Sequence, residues 1–100
     1  MYLLYKKKNI YNSWNEKIAI KIALTENIIL TPNHWKIIHT LRFIYLKYDT
    51  HPNLRMLINV LKKKYKNINW NSVILFNLFP NGSIKQASKI AGLPKNDICL

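Results

Sequence analysis

Apolar positions recur every three to four residues over most of the chain, a period that predicts helices wherever a capping residue and a stop bracket it. Residues 16–24 carry Ile18, Ala19, Ile22 and Ala23 at that spacing, so a short first helix is expected there. The alternation of Ile18, Ile20 and Ile22 also fits a strand. Thr31 followed by Pro32 opens a second helix, because proline at the first helical position gives up an amide that has no partner there. This helix is expected to reach about Tyr48, with Trp35, Ile38, Leu41, Tyr45 and Tyr48 along one side. The stripe reads as core packing in preference to a platform for stacked bases. Thr50-His51-Pro52 opens a third helix in the same manner, with Leu54, Leu57, Ile58, Leu61 and Tyr65 turned inward. Lys62, Lys63, Lys64 and Lys66 gather at its C-terminal end, where cations suit the helix dipole.

Asn69-Trp70-Asn71 resets the chain, and residues 72–78 give a short apolar helix that stops at Phe79-Pro80. Asn81-Gly82 makes the turn into a last helix, with Ser83 as its N-cap acceptor and Ile84, Ala87, Ile90 and Ala91 at helical spacing. Gly92 follows as a left-handed cap, and Leu93-Pro94 stops the helix. At the other end, MYLLY reads as a short strand and the three lysines after it as a turn or solvated edge. The expected architecture is mainly α: a small orthogonal bundle of about five helices with a helix-turn-helix-like core, and at most a short N-terminal β-hairpin. Residues 1–100 form one domain, ending in a flexible arm over residues 93–100.

Charge changes the picture only in part. Sixteen lysines and arginines against four acidic residues give a net charge of +12, which invites binding to phosphates. Only Arg42 and Arg55 are arginines, however, and base or bidentate phosphate recognition favours the arginine fork. The lysine excess arrives with heavy asparagine and isoleucine usage, as compositional drift would produce. Glu16, Glu26, Asp49 and Asp97 are too sparse for a carboxylate pair, and there is no glycine-rich phosphate loop. His34, His39 and His51 with one distant cysteine do not match zinc spacing, and no cofactor is expected. No run is long and apolar enough to span a bilayer, and the N-terminus lacks a secretory pattern, so a soluble cytoplasmic protein is expected.

The one singular side chain is Cys99, next to the C-terminal residue. A lone cysteine cannot close an internal disulfide, and a thiol on a terminal tail is open to chemistry with another molecule. Six residue steps from Leu93 reach at most about 20 Å when extended, enough to carry the thiol into a partner's pocket. Lys89 and Lys95 favour the thiolate, while Asp97 and the terminal carboxylate oppose it. Lys95, Lys89 and Arg55 are candidates for guiding or docking the arm; Arg55 has the alternative of a structural pair with Asp49 or a helix terminus.

Residues 78–99, LFPNGSIKQASKIAGLPKNDIC, resemble the C-terminal signature of the TusE/DsrC sulfur-carrier family, and residues 34–57 resemble a second block of it through Trp35, Arg42, Tyr45, Pro52, Arg55 and Leu57. The resemblance implies that Cys99 carries sulfur as a persulfide. Members in dissimilatory sulfur metabolism have a second cysteine where this chain has Ser88, so the resemblance implies the other branch. That branch accepts sulfur from the TusBCD complex through TusD and passes it to MnmA for 2-thiolation of the wobble uridine of tRNA. Asn96 and Ser83 stand where the family commonly has proline, and Asn59 where it has lysine. The alternative from the residues themselves is a small basic helix-turn-helix-like nucleic-acid-binding protein, its two helices joined at the YDTHP turn.

Overall fold

Asparagine side chains start three of the five helices found among residues 14–93, the part of the chain that the structure, a computed structural model, describes. The Asn15 side chain accepts the Ile18 amide at 2.9 Å to open α1, Glu16–Thr25. Asn53 accepts the Met56 amide at 2.8 Å to open α3, Leu54–Lys64. Asn71 accepts the Ile74 amide at 3.0 Å to open α4, Ser72–Leu78. Each carboxamide takes up one of the first-turn amides that the helix itself cannot satisfy.

Helix α2, Pro32–Tyr48, opens differently. Its cap residue Thr31 is followed by Pro32, and the third helical residue is His34, whose Nδ1 accepts the Thr31 amide at 3.0 Å. The other ring nitrogen, Nε2, lies 2.9 Å from the Leu78 carbonyl, which can only accept. Nε2 therefore carries the proton and Nδ1 the lone pair. Burial against Phe79, whose ring meets the imidazole edge to face at 5.1 Å, pushes the imidazole pKa below its ordinary value, with the Leu78 contact opposing.

Helix α2 is the axis of the bundle. Ile37, Ile38, Leu41 and Ile44 are fully buried, and α3 and α5 (Ser83–Ile90) both pack on it. Leu57 and Leu61 of α3, Leu75 of α4, Ala87 and Ile90 of α5, and the loop residues Trp70 and Phe79 complete the core. Helix α1 presents Ala19 and Ala23, four residues apart, to α5, and their small side chains let the two helices approach closely. Helix α4 packs beside α5.

Three local expectations are corrected. Thr50 does not start α3: Asp49 ends α2 in the left-handed region at φ 54°, the chain bends at Asp49 and Thr50, and Asn53, in extended conformation, caps the helix. A residue before proline is pushed out of helical conformation, which delays the start. Ser83 is the first residue of α5 and not its cap; Gly82 takes the cap position at φ 102°, a conformation that favours glycine. On α2, Tyr48 is 52 % exposed and Trp35 only half-buried, while Ile37 and Ile44 take the core positions. The first helix is a helix and not a strand. The expected N-terminal strand or hairpin falls on residues 1–13, outside the described residues.

Candidate functional site

Cys99 and Lys95 lie outside the described residues, so the geometry of the site begins at its root, the C-terminal end of α5. A helix leaves its last four carbonyls without intrahelical partners. Here all four are taken. The Leu93 amide donates to the Ser88 carbonyl at 3.1 Å and the Gly92 amide to the Lys89 carbonyl at 3.2 Å, the paired bonds of a Schellman cap, with Gly92 at φ 71°. The Trp14 indole Nε1–H donates to the Ile90 carbonyl at 2.9 Å. Arg42 Nη1 donates to the Ala91 carbonyl at 2.7 Å. The two side chains brace one another, since the Arg42 guanidinium lies 4.1 Å from the centre of the Trp14 ring.

This arrangement fixes the position of Leu93, the last described residue. Arg42 is 7 % exposed, and its charge sits against the negative end of the α5 dipole. Trp14 covers Gly92 so closely that a Cβ there would stand 2.9 Å from the indole Cγ. Leu93, read from the sequence as the first residue of the arm, is buried and hydrogen-bonded to α5.

Lys89 turns to the other side of α5. Its ammonium pairs with Glu26 at 3.1 Å, and the Gln86 amide donates to the same carboxylate at 3.0 Å. The Gln86 hydrogen bond, then Lys89, hold the Glu26 carboxyl below its ordinary pKa. Glu26 caps α1, so this cluster ties the ends of α1 and α5 together. Arg55 is exposed in the first turn of α3 and makes no ion pair with Asp49 or any other described residue. Of the alternatives for Arg55, the Asp49 pair is not formed; Asp49 is held in the α2 cap with its Oδ1 buried. Ser88 Oγ is likewise buried, with no hydrogen-bond partner among the described residues.

Nothing among the described residues adds a conventional catalytic centre. No group of three potential metal ligands is present among them, and the open groove of about 240 Å³ beside α1 is lined by Ile20, Leu24, Ile28, Ile29, Leu30 and Trp35 without a titratable group. No helix among them is long and apolar enough to cross a membrane.

The family described as DsrC like protein matches residues 7–100. The chain belongs to that family. Among the relatives of this DsrC-like chain, sulfurtransferase TusE of Buchnera aphidicola subsp. Acyrthosiphon pisum is 48 % identical over 96 % of this chain and 82 % of its own length. Sulfurtransferase TusE of Escherichia coli K12 is 43 % identical over 89 % of this chain and 82 % of its own length. The solution structure of DsrC from Allochromatium vinosum superposes with a TM-score of 0.77 at 40 % identity, over 87 % of this chain and 78 % of that one. The crystal structure of the oxidized gamma-subunit of the dissimilatory sulfite reductase (DsrC) from Archaeoglobus fulgidus gives 0.72 at 38 %, over 87 % and 80 %.

In this DsrC-like chain, the sequence alone assigns neither Arg42 nor Trp14 to the end of α5. A signal for Arg42 was present: it stands four residues after Ile38 and three before Tyr45, both buried, so a cation falls on the inward side of α2. Such a charge must meet buried acceptors, and the end of α5 supplies them.

Proposed function

We propose that this chain is a sulfur carrier of the sulfurtransferase type, with Cys99 as the carrying residue. The Cys99 thiolate attacks the terminal sulfur of a donor persulfide; the donor S–S bond breaks, a new S–S bond forms on Cys99, and the donor departs as a thiolate. The exchange is neutral in electrons, so it needs no oxidant, metal or cofactor. A second exchange of the same kind passes the sulfur onward. Within this reading the TusBCD complex, through TusD, is the donor and MnmA the acceptor, and the sulfur ends as the 2-thio group of the wobble uridine in tRNA, in the cytoplasm.

The observation that carries the reading is the family match through residue 100, with relatives named sulfurtransferase at 43–48 % identity over nearly the whole chain. The anchored root of the segment supports it: a carrier needs a rigid body from which a short tether projects, and α5 is fixed at all four of its last carbonyls. It also fits a protein that carries sulfur without a substrate pocket of its own. Lys95, Lys89 and Arg55 remain proposed docking residues, with Lys89 acting through the Glu26 cluster at the root.

The test is intact mass of wild type and Cys99→Ser after incubation with a cysteine desulfurase, cysteine and the upstream carriers. One added sulfur atom on wild type alone, removed by reductant, is the expected result. A wild type that stays unmodified while the upstream carrier is loaded overturns the assignment.

A further inference from the structure

Helix α2 carries on its outer side a row of cations and aromatic rings that the sulfur chemistry does not use. Lys36 Nζ lies 5.5 Å from the centre of the Tyr65 ring, and Lys64 Nζ lies 5.8 Å from the same ring and 5.1 Å from Phe43. Lys47 Nζ then lies 5.4 Å from both Phe43 and Tyr48. The positions 36, 43 and 47 share one side of α2, and the C-terminal end of α3 brings Lys64 against it. From Lys36 to Lys47 the ridge runs about 17 Å along the helix axis. Phe43 and Tyr48 are 44 % and 52 % exposed, so the rings are held by cations and left open to solvent.

No carboxylate interrupts this ridge. Of the three acidic residues in the described part of the chain, Glu26 is bound to Gln86 and Lys89, Glu16 lies 3.9 Å from His39, and Asp49 has its Oδ1 buried in the α2 cap. Three lysines with interleaved rings, of which Phe43 and Tyr48 are exposed, form an electrostatic footprint for a phosphate backbone, with aromatic faces able to take a base or a sugar edge. Lysine in place of arginine makes the contacts point charges without a fixed fork, which suits binding by shape and charge rather than by sequence.

We propose that this ridge binds the phosphate backbone of a folded RNA, so that the carrier docks on the RNA as well as on its protein partners. Phe43 follows Arg42 directly, about 100° further round α2, so the ridge adjoins the side of α2 that meets the C-terminal end of α5. An RNA on the ridge thus lies beside the C-terminal end of α5. The inference goes beyond the carrier reading and rests on it for the choice of RNA over DNA as the nucleic acid.

The experiment measures binding of an unmodified tRNA transcript by fluorescence anisotropy across a salt series. It compares wild type, Lys47→Gln/Lys64→Gln on the ridge, and Lys17→Gln/Lys21→Gln on α1, which loses the same charge elsewhere. The expected result is salt-dependent binding by wild type, roughly tenfold weaker binding by the ridge variant with a log–log salt slope smaller by about 2, and less than about twofold change in the control. Equal losses in both variants, or no binding by wild type, overturn the ridge. Tighter binding of polyglutamate than of RNA at equal charge also overturns it, in favour of an acidic protein partner. Sulfur loading of Cys99 on the same proteins is read separately, so failure of the carrier assignment and failure of the ridge remain distinct.

Discussion

Arg42 and Phe43 are consecutive residues of α2 whose side chains meet opposite environments. Arg42 turns inward, donates to the Ala91 carbonyl at 2.7 Å and braces Trp14, in a region where each partner has one geometry and little water to screen it. Phe43 turns outward into the lysine ridge, where Lys47 and Lys64 both approach its ring and solvent reaches all of them. The buried region holds the molecule's form through contacts that cannot substitute for one another. The exposed one holds its charge through contacts that can. Single substitutions should therefore damage the first in proportion to burial and the second hardly at all, while salt should do the reverse.

The sharpest way to break this contrast is to truncate one residue in each region. Arg42→Ala strips the Ala91 carbonyl of its buried donor and takes the cation from Trp14, so a loss of about 3 kcal/mol is expected in denaturant unfolding. Lys64→Ala on the ridge should change stability by no more than about 0.5 kcal/mol. A comparable loss from both would show that the ridge is part of the fold and not a surface laid on it. Gly92→Ala tests the same root with one carbon. At φ 71° any side chain is strained, and the new Cβ meets the Trp14 ring, so a cost of about 2 kcal/mol is expected. If Gly92→Ala instead melts like wild type, Trp14 is not held against the root.

A titratable residue can give way with pH where salt has no grip, and His34 sharpens the comparison in that way. Its neutral ring serves the Thr31 amide through Nδ1 and the Leu78 carbonyl through Nε2, and a proton on Nδ1 removes the acceptor. Burial sets the folded pKa below its ordinary value of 6.5, so the unfolded chain binds the proton more tightly. The stability owed to the neutral ring is complete above about pH 6.5 and is lost as pH falls through the lower, folded value. Melting temperatures should decline over that range, and His34→Gln should flatten the decline. An unchanged slope would place the acid sensitivity elsewhere.

The α-helical architecture was legible because each helix is written in local terms: period, proline or asparagine at the start, glycine at the end. Thr31-Pro32 and Gly92 read correctly because their chemistry acts within a few residues. Thr50 and Ser83 misled because cap preference alone cannot choose among adjacent polar residues; the backbone conformation at Asp49, Pro52 and Gly82 decides. The anchor at the end of α5 was illegible. The bonds from Trp14 and Arg42 to the end of α5 span 76 and 49 residues, and no local pattern announces them. The ridge was half visible, as a lysine cluster, because its aromatic half comes from a different helix.

The smallest change predicted within the buried region concerns the one polar group at the root that it leaves unserved among the described residues. Ser88 Oγ is shielded from water and has no partner among the described residues, although its own backbone carbonyl is bonded to Leu93. An unpaired buried hydroxyl loses its hydration on folding without replacement, whereas a methyl group in its place has nothing to lose. Alanine is also the better helix former. Ser88→Ala should therefore raise stability by about 1 kcal/mol, in contrast to every other truncation at this end of α5. The measurement is denaturant unfolding of the variant beside wild type. A gain would identify Ser88 as a position kept for something other than stability, and a loss would mean that the hydroxyl has a partner, so that this end of α5 is satisfied throughout.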